Sequence, residues 1–163
     1  MKRIICSILM LNLFLSGCSV LGERIKDPVV FYYVREEYQQ DMDSVIGSEI
    51  REASGHRNDL SYLLALYTMG PSKETLRSPL PKGTTITTLG NDQDEMLLEL
   101  SDASQKLTDA EYTLAAACLA RTCWELTDTE TITVVCGDRT VSITKANLLL
   151  LDPGQQIQAE VNQ

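Results

Sequence analysis

Apolar side chains fall along this chain in short runs whose spacing changes from one stretch to the next. Residues 4–15 are almost wholly apolar. Residues 29–34 form a β-branched and aromatic run, which predicts a buried strand. Residues 35–44 are polar and read as a loop. Residues 45–53, with Val45, Ile46, Gly47 and Ile50, predict a second strand paired to the first. Ser54, Gly55, His56 and Asn58 supply turn chemistry. From 59 to 69 the period lengthens: Leu60, Leu63, Leu64 and Tyr67 make one helical stripe, with Asn58 or Asp59 as its cap. Gly70-Pro71 ends that helix, because proline cannot extend the ladder and glycine permits a left-handed exit. Pro79, Pro81 and Gly83 punctuate residues 72–83 and predict an ordered surface loop.

The second half repeats the alternation. Residues 84–89 and 95–100 predict a hairpin around a turn at 90–94. Thr108 and Glu111 match a capping box, in which hydroxyl and carboxylate satisfy each other's orphan amides. The helix it opens runs to about 125 and places Tyr112, Ala115, Ala116, Leu119, Cys123 and Leu126 on one face. Residues 131–136 predict a buried strand, Gly137-Asp138 a turn, and 141–143 a returning strand. Leu148 to Leu151 closes the core or adds an edge strand, and 152–163 is a polar tail. Strands in this number with two separated helices predict a single α+β domain, a mixed or antiparallel sheet with both helices packed on one face.

The apolar run at 4–15 follows Met1-Lys2-Arg3. It has the length of a signal-peptide core and is shorter than the ~20 residues a spanning helix needs. It ends in Leu15-Ser16-Gly17-Cys18, which resembles a bacterial lipobox. Cleavage between Gly17 and Cys18 leaves a thiol to carry diacylglycerol, with a fatty acyl chain such as palmitate on the new amino terminus. Two chains already anchor a protein firmly, at ~0.8 kcal/mol per buried methylene. The competing reading is an uncleaved signal anchor with an incidental cysteine. The expected organisation is a signal peptide at 1–17, a lipid-anchored tether at 18–28, a folded domain at 29–151 and the tail. The expected location is the extracytoplasmic face of the cell membrane, with acylated Cys18 in the bilayer.

Charge narrows the partners. The chain holds 14 Lys+Arg and 23 Asp+Glu, a net charge of −9. Loss of Lys2 and Arg3 with the signal leaves 12 basic residues against the same 23 acidic ones, a net of −11. Such a surface repels a phosphate backbone, so nucleic acid is not an expected partner. Three cysteines remain beyond the anchor, Cys118, Cys123 and Cys136. Cys118 and Cys123 are five apart on one helix and too distant to bridge each other. Either could face Cys136, or all three are plain core residues.

The residues 63–71, Leu-Leu-Ala-Leu-Tyr-Thr-Met-Gly-Pro, and 76–84, Leu-Arg-Ser-Pro-Leu-Pro-Lys-Gly-Thr, carry a resemblance. They resemble the central signature of the GerMN domain of sporulation and spore germination proteins. A helix ends in Gly70-Pro71, and a loop with Arg77, Pro79, Pro81 and Gly83 leads into a strand hairpin. Residues 119–123 and 132–137 occupy the places of two weaker later segments. The resemblance spans residues 29–151. It implies a non-catalytic extracytoplasmic module, often on a lipoprotein, that contacts other envelope proteins. The chain departs from the pattern in having one copy of the domain, where some members have two. It also has Cys123 where an aliphatic residue is usual. Arg77 and Lys82 are the expected recognition residues of the loop, whose alternative role is merely to bridge helix and sheet.

No catalytic constellation emerges beside this. His56 is the single histidine, remote in sequence from the cysteines, so neither a Cys–His pair nor a zinc-hydrolase motif is expected. Asn91 to Glu95 is rich in oxygen ligands but lacks the glycine and distal glutamate of a calcium loop, and suits a solvated turn. Glu36-Glu37 and Glu49/Glu52 are the remaining acid–base candidates. No metal and no cofactor is expected. The sequence therefore predicts an interaction module acting in sporulation or germination assemblies. The alternative is a lipoprotein that binds a small molecule or cell-wall fragment, for which a pocket lined by aromatics would speak. An envelope hydrolase ranks last.

Overall fold

In the computed structural model, residues 25–37, 45–92 and 94–148 are described. The signal segment, Gly17, Cys18, most of the tether, the 38–44 part of the first loop and residues 149–163 lie outside them. The first strand, β1 (Pro28–Arg35), forms over the run that predicts it, with Val29, Phe31, Tyr33 and Val34 buried. It pairs antiparallel with β2 (Ile46–Glu52), from Pro28 opposite Glu52 to Val34 opposite Ile46. Helix α1 (Leu60–Thr68) follows, capped by the Asp59 side chain accepting from Tyr62 N at 3.0 Å. A two-residue strand, β3 (Leu76–Arg77), then pairs with the other edge of β1, giving a sheet of order β2-β1-β3.

A second sheet forms from the rest. Strands β4 (Ile86–Asn91) and β5 (Glu95–Leu100) make a hairpin whose register shifts between Thr88 and Gly90. A 3-10 turn (Asp102–Lys106) and helix α2 (Asp109–Leu126) carry the chain across to β6 (Thr131–Cys136). That strand lies parallel to β5, and β7 (Arg139–Thr144) pairs antiparallel with it. The order is β4-β5-β6-β7, followed by the short helix α3 (Lys145–Leu148). The result is a single α+β domain with two longer helices and two open sheets, one antiparallel and one mixed.

Helix α2 explains how two small sheets share one core. It packs against β1 on one side and β6–β7 on the other. Its residues from Ala115 to Ala120 are all buried, more than the single face its spacing predicts. A helix sandwiched in this way must be apolar nearly all round, and alanines let both sheets approach closely. The capping box at its start is formed in full, between Thr108 and Glu111. Helix α1 packs on β4 and sets Tyr67 among the β1 aromatics, stacked on Tyr33 with centroids 4.8 Å apart and edge-on to Phe31 at 5.8 Å.

The incomplete edge of β1 is finished by side chains. Val34 meets β3, but Tyr32, two residues earlier on that edge, has no strand beside it among the described residues. Its N–H donates instead to Thr122 Oγ1 of α2 at 3.0 Å. Its carbonyl accepts from the Tyr67 hydroxyl at 3.0 Å. Two helices thus continue a sheet ladder with hydroxyls, so both Tyr32 backbone groups have partners.

Candidate interaction site

The signature that carries the sequence resemblance folds into one braced segment. Gly70 leaves α1 with φ +86, and its N–H bonds Tyr67 O at 3.0 Å. A side chain there would be strained, which is why glycine stands at this exit. Pro71 follows, and beyond it the chain is gripped from β2. Glu49, only 2% exposed, accepts from Ser72 N at 2.9 Å and from Lys73 N at 3.1 Å. Arg51 lies 3.8 Å from the same carboxylate, donates to Gly70 O at 3.0 Å and passes over the Phe31 ring. The helix exit and the next turn are therefore held by an acid and a base on alternate positions of one strand.

The sequence offers Glu49 only as an acid–base candidate beside Glu52, and Ile50 only as one of the apolar residues that mark this strand. The structure uses Glu49 in the brace and leaves Ile50 56% exposed. The neighbouring Gly47 is enforced by packing, since a Cβ there would sit 2.7 Å from Leu76 Cδ2. A spacing of Gly-x-Glu-x-Arg on one strand face was the available signal for the brace.

Beyond the brace, the segment is less exposed than a surface loop. Leu76 is buried and paired with β1, and Pro79 and Leu80 are buried. Ser78 Oγ donates to Leu80 O and accepts from Leu80 N, closing a small local ring. Thr84 N bonds Pro81 O at 3.1 Å, and Gly83 at φ +87 takes the position of this turn that needs a left-handed residue. Arg77 and Lys82 face solvent. The expectation of an exposed loop thus holds for those two residues and fails for Pro79, which serves the core.

A cleft of about 180 Å³ separates this segment from the start of α2, lined by Val34, Arg77, Pro79, Leu80, Glu111 and Leu114 among others. Glu111 is held below the usual carboxylate range, first by the backbone N–H of Thr108 and then by its hydroxyl, with the Arg77 charge adding to this. Leu114 also lines a second groove, of about 400 Å³, with Ile46, Asp109, Ala110, Thr113 and Ala117. The two depressions flank the N-terminal half of α2. Among the described residues neither is lined by an aromatic side chain.

The remaining candidates resolve into structural roles. His56 stacks on Tyr62 of α1, with ring centroids 4.2 Å apart. Cys118, Cys123 and Cys136 are free and buried. Burial pushes the Cys118 and Cys123 thiols up to about 12, so thiolate is suppressed there at neutral pH. In the 91–95 turn, Asp92 Oδ1 accepts from Asp94 N and Glu95 N, and Thr133 donates to Glu95. Among the described residues no group of three or more His, Cys, Asp or Glu side chains is arranged to hold a metal ion. Nor is any helix of those residues long and apolar enough to cross a membrane.

No family profile and no curated protein matches the chain. Among solved structures it is similar to the tandem GerMN domains of the sporulation protein GerM from Bacillus subtilis, with TM-score 0.48 and 18% identity. That match covers 69% of this chain and 39% of the other, so this chain spans well under half of the tandem protein. The first GerMN domain of the same protein matches with TM-score 0.46 and 12% identity, covering 69% of this chain and 86% of that one. A Clostridium perfringens chain given a provisional lipoprotein name matches with TM-score 0.41 and 14% identity, over 80% and 93% of the two chains.

Proposed function

We propose that this chain is a lipid-anchored, non-enzymatic interaction module at the outer face of the cytoplasmic membrane, acting in envelope assemblies of sporulation or germination. Acylated Cys18 places the domain at the bilayer, and the α+β body contacts other envelope proteins. The observation that carries the reading is the braced segment from Gly70 to Thr84. Glu49 and Arg51 fix its start, pairing with β1 fixes its middle, and two cations are left in solvent, Arg77 at the cleft and Lys82 in the turn that follows. A charged pair on a rigid support loses little entropy on binding, which favours recognition.

Two experiments test this. Cys18→Ala should move the protein out of the membrane fraction, and a variant that stays there unchanged removes the anchor from the proposal. Arg77→Glu combined with Lys82→Glu should abolish co-purification of envelope proteins from detergent-solubilised membranes of the native host. Unaltered recovery in the double variant rules out this loop as the contact.

A further inference from the structure

Among the described residues β2 is the outer strand of its sheet, and two hydrogen bonds fix which of its backbone groups face away from β1. Val45 O accepts from Arg35 N of β1 at 2.9 Å, so odd-numbered residues along this strand turn their peptide groups inward and even-numbered ones outward. Lys73 Nζ donates to Ser48 O at 3.1 Å and approaches from that outer side. Ser48, Ile50 and Glu52 therefore present their backbone groups at the edge. Their side chains share a face with Ile46, which lines the groove of about 400 Å³ against α2. Ile50 stands four residues further along that face, 56% exposed. The outward backbone edge thus leads, at its Ile46 end, to an apolar groove that the small side chains of Ala110 and Ala117 help to line.

We propose that this edge receives an extended segment of another protein as a fourth strand, with its alternate apolar side chains covering Ile50 and entering the groove. The segment carries a basic residue at each end. Among the described residues Asp109 is the one charged residue lining the groove, at the Ile46 end, and exposed Glu52 marks the other end of the edge, about 20 Å away for a strand of this length. A second copy of this chain is a poor occupant, because each copy carries a net charge of −11 once Lys2 and Arg3 are lost with the signal. Backbone pairing supplies affinity and the alternate side chains supply selectivity. Lys73 is the guard, since its ammonium occupies a carbonyl that an added strand must use, and lysines are a common protection of open edges. This inference rests on the interaction reading above and names the partner's chemistry.

The test uses the full-length protein in detergent micelles and a capped synthetic peptide, Lys-Thr-Val-Thr-Val-Thr-Lys. At saturation the amides of Ser48, Ile50 and Glu52 should exchange about tenfold more slowly. Lys73→Ala should tighten peptide binding. It leaves the backbone bond to Glu49 in place. Ser48→Pro removes an outward N–H without touching the β1 ladder, and should erase protection at Ile50 and Glu52. Equal protection by a control peptide with Glu in place of both lysines, or by an alternately N-methylated copy, overturns the proposal, as does no protection at the highest peptide concentration. Protection that grows with protein concentration in the absence of peptide identifies a second copy as the occupant, and overturns it too. Arg77→Glu should leave peptide protection unchanged. Lost peptide protection with Arg77-dependent co-purification intact sinks the added strand alone, and the converse sinks the motif-loop reading alone.

Discussion

Glu49 illustrates how a single carboxylate can be misjudged from its neighbours. It lies in a strand where Ser48 and Glu52 face solvent, and alternation alone assigns it to no special duty. In the fold it satisfies two amides that follow a proline and sits beside Arg51. Glu49→Ala should leave those amides and the guanidinium without their acceptor, destabilising the domain by about 3 kcal/mol. Glu49→Gln retains one carbonyl acceptor and should cost less. Urea unfolding of the two variants beside the parent measures both, and equal stability of all three would show that the brace contributes nothing. The residues of the GerMN-like signature were legible beforehand because glycine and proline announce their backbone geometry. Glu49 and Arg51 were not, because nothing in a strand's own pattern says which distant turn its polar residues will meet.

At the level of elements, legibility followed periodicity. β1, α1, α2 and β6 have enough regularly placed apolar residues to declare themselves, and the Thr108–Glu111 box located the start of α2 to the residue. β3 is two residues long and offers no period to read. β4 begins at Ile86 and ends at Asn91, two residues later than its apolar pattern suggests at each end, because the bulge near Leu89 extends pairing into the expected turn. The division into two sheets, and the parallel pairing of β5 with β6, depend on where α2 lies, which local sequence does not specify. The hydroxyl that Thr122 lends to β1 is a consequence of that placement. Thr122→Val keeps the shape and removes the acceptor for Tyr32 N–H, so it should cost about 1–3 kcal/mol, while Thr122→Ser should remain close to the parent. Thermal unfolding of the pair is the check, and a stable valine variant would mean that water reaches this edge.

Across the described residues of the molecule three thiols are buried, and this makes its stability depend on alkaline pH. Cys118 and Cys123 are pushed from an ordinary value near 9 up to about 12 by burial. Below about pH 9 both thiols are protonated in the folded and unfolded chains, and stability is unaffected. Between about 9 and 12 the unfolded chain releases protons that the folded one keeps, so stability falls by up to about 1.4 kcal/mol per pH unit for each thiol. Unfolding free energies compared at about pH 8 and about pH 10 should show this decline. The Cys118→Ala/Cys123→Ala variant should flatten the part due to the thiols, and an unchanged slope would exclude them as its source.

The parallel pairing of β5 with β6 has a consequence for how the domain is made. These neighbours are separated in sequence by the 3-10 turn and all of α2, so their contact cannot form until that connection has been delivered. A chain threaded across a membrane amino end first would have its β4–β5 hairpin outside while β6 was still within the export channel. Its maturation would then proceed in two acts, with an early β1–β2 hairpin and a late closure when residue 136 emerges.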